Sequence, residues 1–427
     1  MSLALLVFCL SVFLLLRIPI AYSLGLSALV YFLCVRPQLV DVLPQQFFAG
    51  MDSYALIALP LFILMGQLMN ASGITQRLIS LSMVFVGRFR GGLGLVNVVA
   101  SMLFGGISGS SASDTASIGS VLIPEMTERG YPKEFSAGIT VASSTMGMII
   151  PPSIPMVIYA VTAQESVGKL FLGGLVPGLL IGIIQLILVY RIAVRRHYPV
   201  EQRRYDSRQV VTEIAGSIYV LIMPLFVVGA VVGGFATATE SAAVGVLYAA
   251  MVGFLLTRQL SLPGLYQALR SSILISAKIM MIIAMSQVFI WVLAYERVPE
   301  TIAGEVASWG LSPTVLMLFV AVIVLAAGTF IDVSPAILLL TPVFLPTVTE
   351  AGVSPILFGV MLVSGLAVGA CTPPVGNCLN VCAAVSGLRI GNIFRGAWLF
   401  LLANVVVIVV IILVPQLVLW IPNHLME

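Results

Sequence analysis

Two double prolines interrupt apolar segments of this chain at the same position of an internal repeat. Pro151-Pro152 precedes Pro373-Pro374 by 222 residues, and neighbouring residues keep this spacing. The further matched positions are Pro124 with Pro346, Gly147 with Gly369, Gly174 with Gly396 and, at an offset of 220 residues, Met65-Gly66-Gln67 with Met285-Ser286-Gln287. Hydrophobic segments interrupted at corresponding positions of two repeats are the best sequence indication of a membrane transporter's binding site. Functional residues are therefore expected at the paired breaks.

The composition excludes a soluble globular fold. Apolar residues make up 60% of the 427 residues and charged residues only 9%, whereas charged residues average about 25% in soluble domains. The net charge of +3 is too small to indicate nucleic acid as a partner, and the basic residues lie in short separate clusters. The chain is therefore predicted to be an all-α polytopic membrane protein surrounded by the lipid bilayer.

Apolar runs bounded by charges and turns predict the membrane spans, since about 20 apolar residues cross a bilayer. The predicted spans are 2–16, 18–35, 54–70, 134–162 and 168–190 in the first half, and 217–235, 238–257, 272–293, 354–386 and 396–420 in the second. Each half also contains a stretch of moderate hydrophobicity with a polar centre, 93–127 and 312–347, which is predicted to form a re-entrant helical hairpin. Segments 74–90 and 299–311 do not fit as spans and are predicted to be helices along the membrane interface.

Five crossings per half is an odd number, so the second half is expected to lie upside down relative to the first. The basic segment 191–208, with six arginines, marks the cytoplasmic side. This orientation places both termini outside and 17 of the 20 Lys and Arg residues inside. The predicted organisation is a first inverted repeat over 1–198 with a broken helix at 134–162, a basic cytoplasmic linker over 199–216, and a second inverted repeat over 217–427 with a broken helix at 354–386.

The polar centres of the hairpins suggest ion binding. The first, GGISGSSASDTASIGS over 105–120, carries six serines and Asp114, and the second, GTFIDVSP over 328–335, carries Asp332. A charge near the bilayer centre costs at least about 2.5–3.5 kcal/mol, and neither half offers an obvious Arg or Lys at that depth. A bound cation is therefore the expected partner of these carboxylates.

The double prolines supply further oxygen ligands. Because proline has no N–H, each pair leaves two upstream carbonyls without their helical donors. Oxygen-only ligand sets with at most one carboxylate suit a hard monovalent cation, and about two sodium ions are expected. One predicted sodium site consists of Ser108, Ser110, Gly147 and Ser153, and the other of Gly328, Asp332, Gly369 and Thr372.

Four motifs in order extend over most of the chain and carry a family resemblance. They run from Gly106 to Met126, from Ile150 to Ala160, from Gly328 to Pro346 and from Thr372 to Leu379. With them the chain resembles the large membrane subunit, the DctM type, of tripartite ATP-independent periplasmic (TRAP) transporters. The resemblance implies a sodium-driven importer of the bacterial inner membrane, with both termini in the periplasm in our topology. It also implies an elevator-type mechanism of the ion-transporter superfamily, a periplasmic substrate-binding protein and a small four-helix membrane subunit.

The resemblance implies a small organic acid as substrate, without choosing among dicarboxylates, sialic acids and keto acids. The residues predicted to contact it are Ser111, Ser113, Ser153, Asp332 and Asn377. Hydroxyl and amide donors of this kind suit a sialic acid at least as well as a C4-dicarboxylate.

Two other function classes fit the sequence less well than transport. The sequence GISGS at 106–110 could indicate a serine hydrolase, but the two histidines, His197 and His424, lie outside the predicted spans and no base is available. No G-x-x-x-x-G-K-[ST] loop occurs, which argues against an ATP-driven pump. The chain is therefore predicted not to be an enzyme. A channel built from re-entrant hairpins and a sodium-coupled carboxylate transporter without a binding protein remain the alternatives.

Overall fold

The computed structural model describes residues 2–200, 207–308 and 310–426, and the regular structure of these residues is helical apart from an isolated bridge between Arg90 and Val200. The helices of the first half are α1 Ser2–Leu15, α2 Ile20–Val35, α3 Val42–Met51, α4 Ala58–Ala71, α5 Ile74–Val86, α6 Gly92–Ser108, α7 Ser111–Glu128, α8 Lys133–Ser144, α9 Ile154–Ala163 and α10 Val167–Arg195.

The helices of the second half follow a similar order. They are α11 Ser207–Ala215, α12 Ile218–Val232, α13 Ala238–Met251, α14 Leu262–Tyr295, α15 Val298–Ser308, α16 Pro313–Phe330, α17 Val333–Glu350, α18 Pro355–Gly369, α19 Asn377–Ser386, α20 Ile390–Leu413 and α21 Gln416–Leu425. Short 3₁₀ or π-helical segments extend or precede some of them, as at Thr145–Met148 after α8 and Val252–Leu256 after α13.

Seven helical segments in the described part of the chain are long and apolar enough to cross a membrane. They are Tyr54–Ala71, Val167–Arg195, Ala238–Leu256, Leu262–Tyr295, Pro313–Phe330, Val333–Glu350 and Ile390–Leu413. Eight shorter apolar helices accompany them. The chain is therefore a multi-pass, all-helical membrane protein. The inverted orientation of the two halves, the re-entrant position of the hairpins and the interfacial position of α5 and α15 stay predictions.

Two pairs of helices are each joined by a very short turn, and we call α6–α7 hairpin 1 and α16–α17 hairpin 2. Helix α6 ends at Ser108 and is followed by Gly109, which has a φ of +59°, and α7 begins after the extended residue Ser110. Helix α16 ends at Phe330 and is followed by Ile331, and Asp332 caps α17 by accepting a hydrogen bond from the Val333 N–H at 2.9 Å. These turns fall within the segments that the sequence assigned to helical hairpins.

Two helical segments stop at the double prolines. After α8 the 3₁₀ turn ends at Met148, and α9 begins only at Ile154, where Ser153 Oγ accepts a hydrogen bond from the Met156 N–H at 3.3 Å. In the second half α18 ends at Gly369 and α19 begins at Asn377. Residues 149–153, called the first break, and 370–376, called the second break, are non-helical.

The centre of the molecule is built from α8 and α18, whose residues are nearly all buried. Glycines let their backbones approach neighbouring helices closely. A Cβ placed on Gly105 would lie 3.0 Å from the Gly147 Cα, and one on Gly328 would lie 3.0 Å from the Gly369 Cα. Each hairpin therefore packs on the end of its own broken helix with main chain against main chain. The outer helices α1 and α2 form a separate apolar cluster with the C-terminal half of α14.

Several sequence expectations need correction. Helix α14 begins at Leu262 rather than near 272, because Ser261 caps it and Pro263 fits its first turn. The predicted span 396–420 is two helices, since α20 ends at Leu413 and α21 begins after Pro415. Segment 42–51, which was not assigned, is helical. Of the predicted linker 199–216, residues 207–215 are helical and 201–206 lie outside the described residues.

Candidate functional site

A cavity of about 430 Å³ lies where both hairpin turns and the helix ends beside both breaks meet helices α4 and α14. Hairpin 1 contributes residues 108–113, hairpin 2 contributes 332–334, and α4 contributes Ile63, Gly66 and Gln67. The rest of the lining is Met148, Ile154, Pro155, Ile275, Lys278, Ile279, Ile282, Ala370, Asn377 and Cys378. The polar turns of both hairpins, which the sequence predicted to be functional, therefore line one common cavity.

Four helix N-termini converge on the cavity. Ser111, Ile154, Val333 and Asn377, the first residues of α7, α9, α17 and α19, all belong to its lining. A helix N-terminus carries a partial positive charge and unsatisfied N–H groups. The convergence therefore creates an electrostatic environment that favours an anion.

Three C-terminal helix ends reach the same cavity. Ser108 ends α6, Met148 ends the 3₁₀ turn after α8, and Ala370 directly follows α18. The carbonyl groups at such ends carry partial negative charge and attract cations. An anion and cations can therefore be bound side by side, an arrangement found at discontinuous helices in membrane transporters.

The turn of hairpin 1 rests on the first break. A Cβ on Gly109 would lie 3.1 Å from the Ile154 N and 3.2 Å from the Pro152 O. Glycine is needed here for both its positive φ and this close approach. On the other side, a Cβ on Gly66 of α4 would lie 3.2 Å from the Ile107 O. The turn is thus enclosed by backbone on two sides.

The turn of hairpin 2 is joined to the second break by a hydrogen bond. Asn377 Nδ2 donates to Asp332 Oδ1 at 3.4 Å, and the same carboxylate oxygen accepts from the Val333 N–H. Both side chains are exposed to the cavity. The Asp332 carboxylate therefore keeps capacity for a further partner, because its second oxygen is free of these two bonds.

The two halves of the chain also touch at the cavity. Ser111 Oγ lies 2.9 Å from Cys378 Sγ and 3.5 Å from Ser144 Oγ. Ser111 and Cys378 are the first residue of α7 and the second of α19. Hairpin 1 is therefore linked to the helix that follows the second break.

Three of the four carbonyls freed by the double prolines, those of Met148, Gly369 and Ala370, accept hydrogen bonds within the protein. Ser153 Oγ donates to the Met148 carbonyl, Thr372 Oγ1 donates to the Gly369 carbonyl at 2.8 Å, and the Cys378 N–H donates to the Ala370 carbonyl at 3.0 Å. A carbonyl oxygen has two lone pairs. The Gly369 carbonyl uses both, because it also accepts from the Thr372 N–H at 2.9 Å. The Met148 and Ala370 carbonyls each keep one lone pair that can coordinate a cation.

The structure brings together some predicted site residues and separates others. Ser108, Ser110, Ser111, Ser113, Asp332 and Asn377 line the cavity. Gly147, Ser153, Gly328, Gly369 and Thr372 are not part of its lining. Ser153 is only 1% exposed, and its hydroxyl is used within the first break, so its position gives no support to the predicted substrate contact.

Lys278 is the cavity residue that the sequence analysis missed. It lies on α14 and lines the same cavity as Asp332, so a basic residue accompanies this carboxylate, which the sequence did not lead us to expect. A single lysine within the apolar run SILISAKIMMIIAM, 272–285, was the available signal.

Comparison with known proteins decides the family. The model of the DctM component of tripartite ATP-independent periplasmic transporters matches residues 7–417. The chain belongs to this family. The large permease DctM of a C4-dicarboxylate TRAP transporter from Pseudomonas aeruginosa is 38% identical over 403 residues, with 94% of both chains covered. SiaM, the large permease of a sialic acid TRAP transporter from Vibrio cholerae, is 33% identical over 405 residues, with 95% of both covered.

Other similarities agree with membership of the DctM family. The chain matches 61% of the isethionate TRAP permease DctMQ of Oleidesulfovibrio alaskensis, at 36% identity and with 90% of this chain covered. The YdaH transporter of Alcanivorax borkumensis shares the fold at a TM-score of 0.64 and 15% identity, with 90% of this chain and 89% of YdaH covered. TRAP large permeases work with a small membrane subunit and a periplasmic binding protein. The chain is therefore a transporter permease and not an enzyme.

Proposed function

We propose that the chain carries a small organic anion into the cell together with sodium ions, through the cavity between the hairpin turns and helices α4 and α14. The main support is the convergence of four helix N-termini on this cavity beside Lys278. The partial charges of the helix ends and the lysine ammonium favour the carboxylate of the substrate. Hydroxyls of Ser111 and Ser113 and the amide of Asn377 supply hydrogen-bond donors.

Sodium is the proposed driving ion, with about two ions per substrate, one beside each hairpin. The C-terminal helix ends at Met148 and Ala370 and the carboxylate of Asp332 support this proposal, since they supply oxygen ligands next to the anion site. Gly147 and Gly369 directly precede Met148 and Ala370 in the chain. The protein is proposed to reside in the bacterial inner membrane with both termini in the periplasm.

The substrate is proposed to be a C4-dicarboxylate or a sialic acid. The names of relatives include both classes. A cavity of about 430 Å³ lies within the range of about 300–1,000 Å³ that is usual for small-molecule sites, so its size admits either. A periplasmic binding protein of matching specificity is proposed to deliver the substrate, and a small four-helix subunit is proposed to bind the outer helices.

An elevator-type movement is proposed for transport. The two hairpins and two broken helices form the moving part, and α4, α14 and the outer helices form the fixed part. This division is supported by the direct main-chain packing of each hairpin on its own broken helix and by the separate cluster of α1, α2 and α14. Substrate bound at their boundary would be carried past the fixed part.

Uptake into proteoliposomes tests this function. The chain is reconstituted with its small subunit, an inward sodium gradient is applied, and labelled organic acids are supplied with a panel of binding proteins. We expect saturable uptake that needs both sodium and one cognate binding protein. Equal uptake with potassium would contradict sodium coupling. Sodium-independent, non-saturable flux would favour a channel, and uptake without any binding protein would favour a two-component carrier.

A further inference from the structure

A second large pocket is separate from the substrate cavity and shares no lining residue with it. Its volume is about 660 Å³. The start of α8, the end of α10 and the first three turns of α20 form its walls. The transport function proposed above does not use this pocket.

The charged side chains of the pocket are three arginines and one acid. Arg195 is the last residue of α10 and Arg196 follows it, Arg395 lies on α20, and Glu134 lies in the first turn of α8. All four are exposed, and none of the three arginines forms an ion pair among the residues that the structure describes. Three positive charges and one negative charge leave the lining with a net charge of +2. Because guanidinium groups bind phosphate oxygens in a bidentate manner, this lining suits a phosphate group.

The position of the pocket along its helices matches the headgroup level of a membrane. Two of its walls, α10 and α20, belong to the segments Val167–Arg195 and Ile390–Leu413, which are long and apolar enough to cross a bilayer. The arginines lie at the end of the first segment and near the start of the second. Trp398, which also lines the pocket, is 52% exposed. Tryptophan is enriched at membrane–water interfaces, so we expect the pocket to lie at such an interface.

An exposed apolar face of α20 leads away from the pocket. Leu402 and Val406 are 50% and 49% exposed, and they follow Trp398 at spacings of four residues on the same face of the helix. On α10, Ile192 lines the pocket, and Leu188 one turn earlier is half-buried. Arginines that continue into an apolar face suit a ligand with an anionic head and an apolar chain. A free phosphate ion would use only the first part of this surface.

The floor of the pocket is closely packed. A Cβ on Gly396 would lie 1.9 Å from the Glu134 O, so α20 and α8 touch through their main chains. Phe135 and Phe400, both buried in the lining, pack edge to face with 6.0 Å between their ring centroids. Three helices therefore hold the charged side chains around a floor that is already formed.

We propose that this pocket binds the phosphate of an anionic phospholipid, with an acyl chain along the face of α20 that carries Trp398, Leu402 and Val406. The net charge of +2 favours phosphatidylglycerol or cardiolipin over the zwitterionic phosphatidylethanolamine. A headgroup held by both Arg195 and Arg395 bridges α10 and α20 and thereby stabilises the folded protein. This site is independent of the proposed substrate and sodium sites.

Native mass spectrometry and thermal unfolding of the delipidated permease, purified together with its small subunit, test this site. Phosphatidylglycerol or cardiolipin is added, and phosphatidylethanolamine and inorganic phosphate serve as comparisons. We expect an anionic phospholipid to remain bound and to raise the Tm more than either comparison does. Equal stabilisation by phosphatidylethanolamine would contradict selection by charge. Equal stabilisation by inorganic phosphate would show that the pocket binds a free anion and not a lipid.

Single variants locate the binding. Arg195→Gln and Arg395→Gln, on different helices, should each weaken binding of the anionic phospholipid about fivefold, the contribution expected of one basic residue near an anionic membrane surface. Arg191→Gln is the matched control, because Arg191 is exposed one turn earlier on α10 and does not line the pocket. It should keep the wild-type affinity. An equal loss in Arg191→Gln would indicate diffuse attraction to the basic end of α10 and would overturn the proposal.

A further variant should change the affinity in the opposite direction. Glu134→Gln removes the negative charge of the lining, so binding of the anionic phospholipid should become tighter. An unchanged or weaker affinity would contradict binding of a phosphate beside this residue. Phospholipid binding to the permease alone that is lost in the complex would show that the small subunit covers the pocket, and this result would also overturn the proposal. Failure of sodium-driven uptake would leave the proposal intact, since no residue of the pocket lines the substrate cavity.

Discussion

Ser111 Oγ lies 2.9 Å from Cys378 Sγ, and this contact joins hairpin 1 of the first half to α19 of the second. The residue before Cys378, Asn377, donates to Asp332 at the turn of hairpin 2. Both hairpin turns are therefore attached to the first turn of one helix. A change at either turn is expected to reach the other through α19 without passing through the cavity.

Replacing Ser111 or Cys378 by alanine should test this attachment. Each single variant is expected to lose about 0.5–1.5 kcal/mol of stability, the usual net value of a hydrogen bond. If the contact is the cause, the double variant should lose less than the sum of the two, as measured by thermal unfolding in a double-mutant cycle. Ser120→Ala is the control, because its exposed hydroxyl bonds only to the Ser117 carbonyl of its own helix. Simple additivity would show that the contact has no energetic role.

Asp332 is expected to have two roles, which are to cap α17 and to supply a negative charge for sodium-driven uptake. Substitutions can separate these roles. Asp332→Asn keeps a side-chain oxygen for capping α17 but loses the negative charge. We expect wild-type stability in potassium and a loss of sodium-driven uptake of at least tenfold. Asp332→Ala should lose uptake and also about 1 kcal/mol of stability, because the cap is removed.

Ser354→Ala provides the comparison for Asp332. Ser354 caps α18 by accepting a hydrogen bond from the Ile356 N–H at 3.3 Å and does not line the cavity. This variant should lose stability without losing uptake. Normal sodium-driven uptake by Asp332→Asn would rule out a role for the charge.

Lys278 is expected to bind the substrate carboxylate. Lys278→Met keeps the length and apolar stem but removes the charge, so the KM for the anionic substrate should rise about tenfold or more, as for loss of a charged hydrogen bond of roughly 1.5–3 kcal/mol. Lys278→Arg should retain part of the affinity. Arg270→Met, exposed on the same helix and outside the cavity lining, should leave the KM unchanged. An unaltered KM in Lys278→Met would exclude this contact.

Movement between hairpin 1 and α4 can be tested with a disulfide. Ser117 Oγ of α7 donates to Asn70 Oδ1 of α4 at 3.3 Å, so these two side chains are in contact. Formation of the crosslink is verified by mass spectrometry, because a disulfide also requires a Cα–Cα distance of about 4.4–6.8 Å. In the elevator proposal, oxidation of the Asn70→Cys, Ser117→Cys pair should stop uptake, and a reductant should restore it. Each single variant under the same oxidant is the control. Full uptake with the crosslink formed would contradict relative motion of these two helices.

Close main-chain packing between α8 and α20 predicts intolerance of added side chains. A Cβ on Gly138 would lie 2.2 Å from the Gly396 carbonyl carbon, and one on Gly396 would lie 1.9 Å from the Glu134 O. Gly138→Ala or Gly396→Ala should therefore destabilise the protein by about 1–3 kcal/mol or more, measured by thermal unfolding. Gly391→Ala, with nothing within 4 Å, should be close to neutral. Equal stability of all three would contradict the packing.

The sequence predicted the features that depend on local chemistry. The hairpin turns at Gly109 and Asp332 and the helix breaks at the double prolines lie in the segments where Gly, Ser, Asp and Pro interrupt apolar runs. The missing N–H of proline and the positive φ of glycine affect the backbone only within a few residues of their own position. Motifs made of such residues therefore identify both the turns and the family.

Features that depend on tertiary packing were missed. Lys278 is a single cation within the apolar run 272–285 of α14, and only the arrangement of α14 beside both hairpins brings it to the cavity. Ser153 was predicted to face a ligand, but its hydroxyl satisfies the Met148 carbonyl. A one-dimensional pattern shows which carbonyls lose their helical donors. It does not show which nearby hydroxyl replaces the donor.

The glycine contacts at Gly105–Gly147 and Gly328–Gly369 have a mechanical consequence. Where backbone touches backbone there is no layer of side chains that can change rotamer and absorb displacement, so neither hairpin can slide on its broken helix without a steric clash. Gly66 of α4 makes a similar close approach to the main chain of hairpin 1, whereas α14 presents the side chains of Ile279 and Ile282 to the cavity. If the proposed elevator movement occurs, we therefore expect the shape of these two isoleucines on α14 to determine how readily the hairpins are displaced.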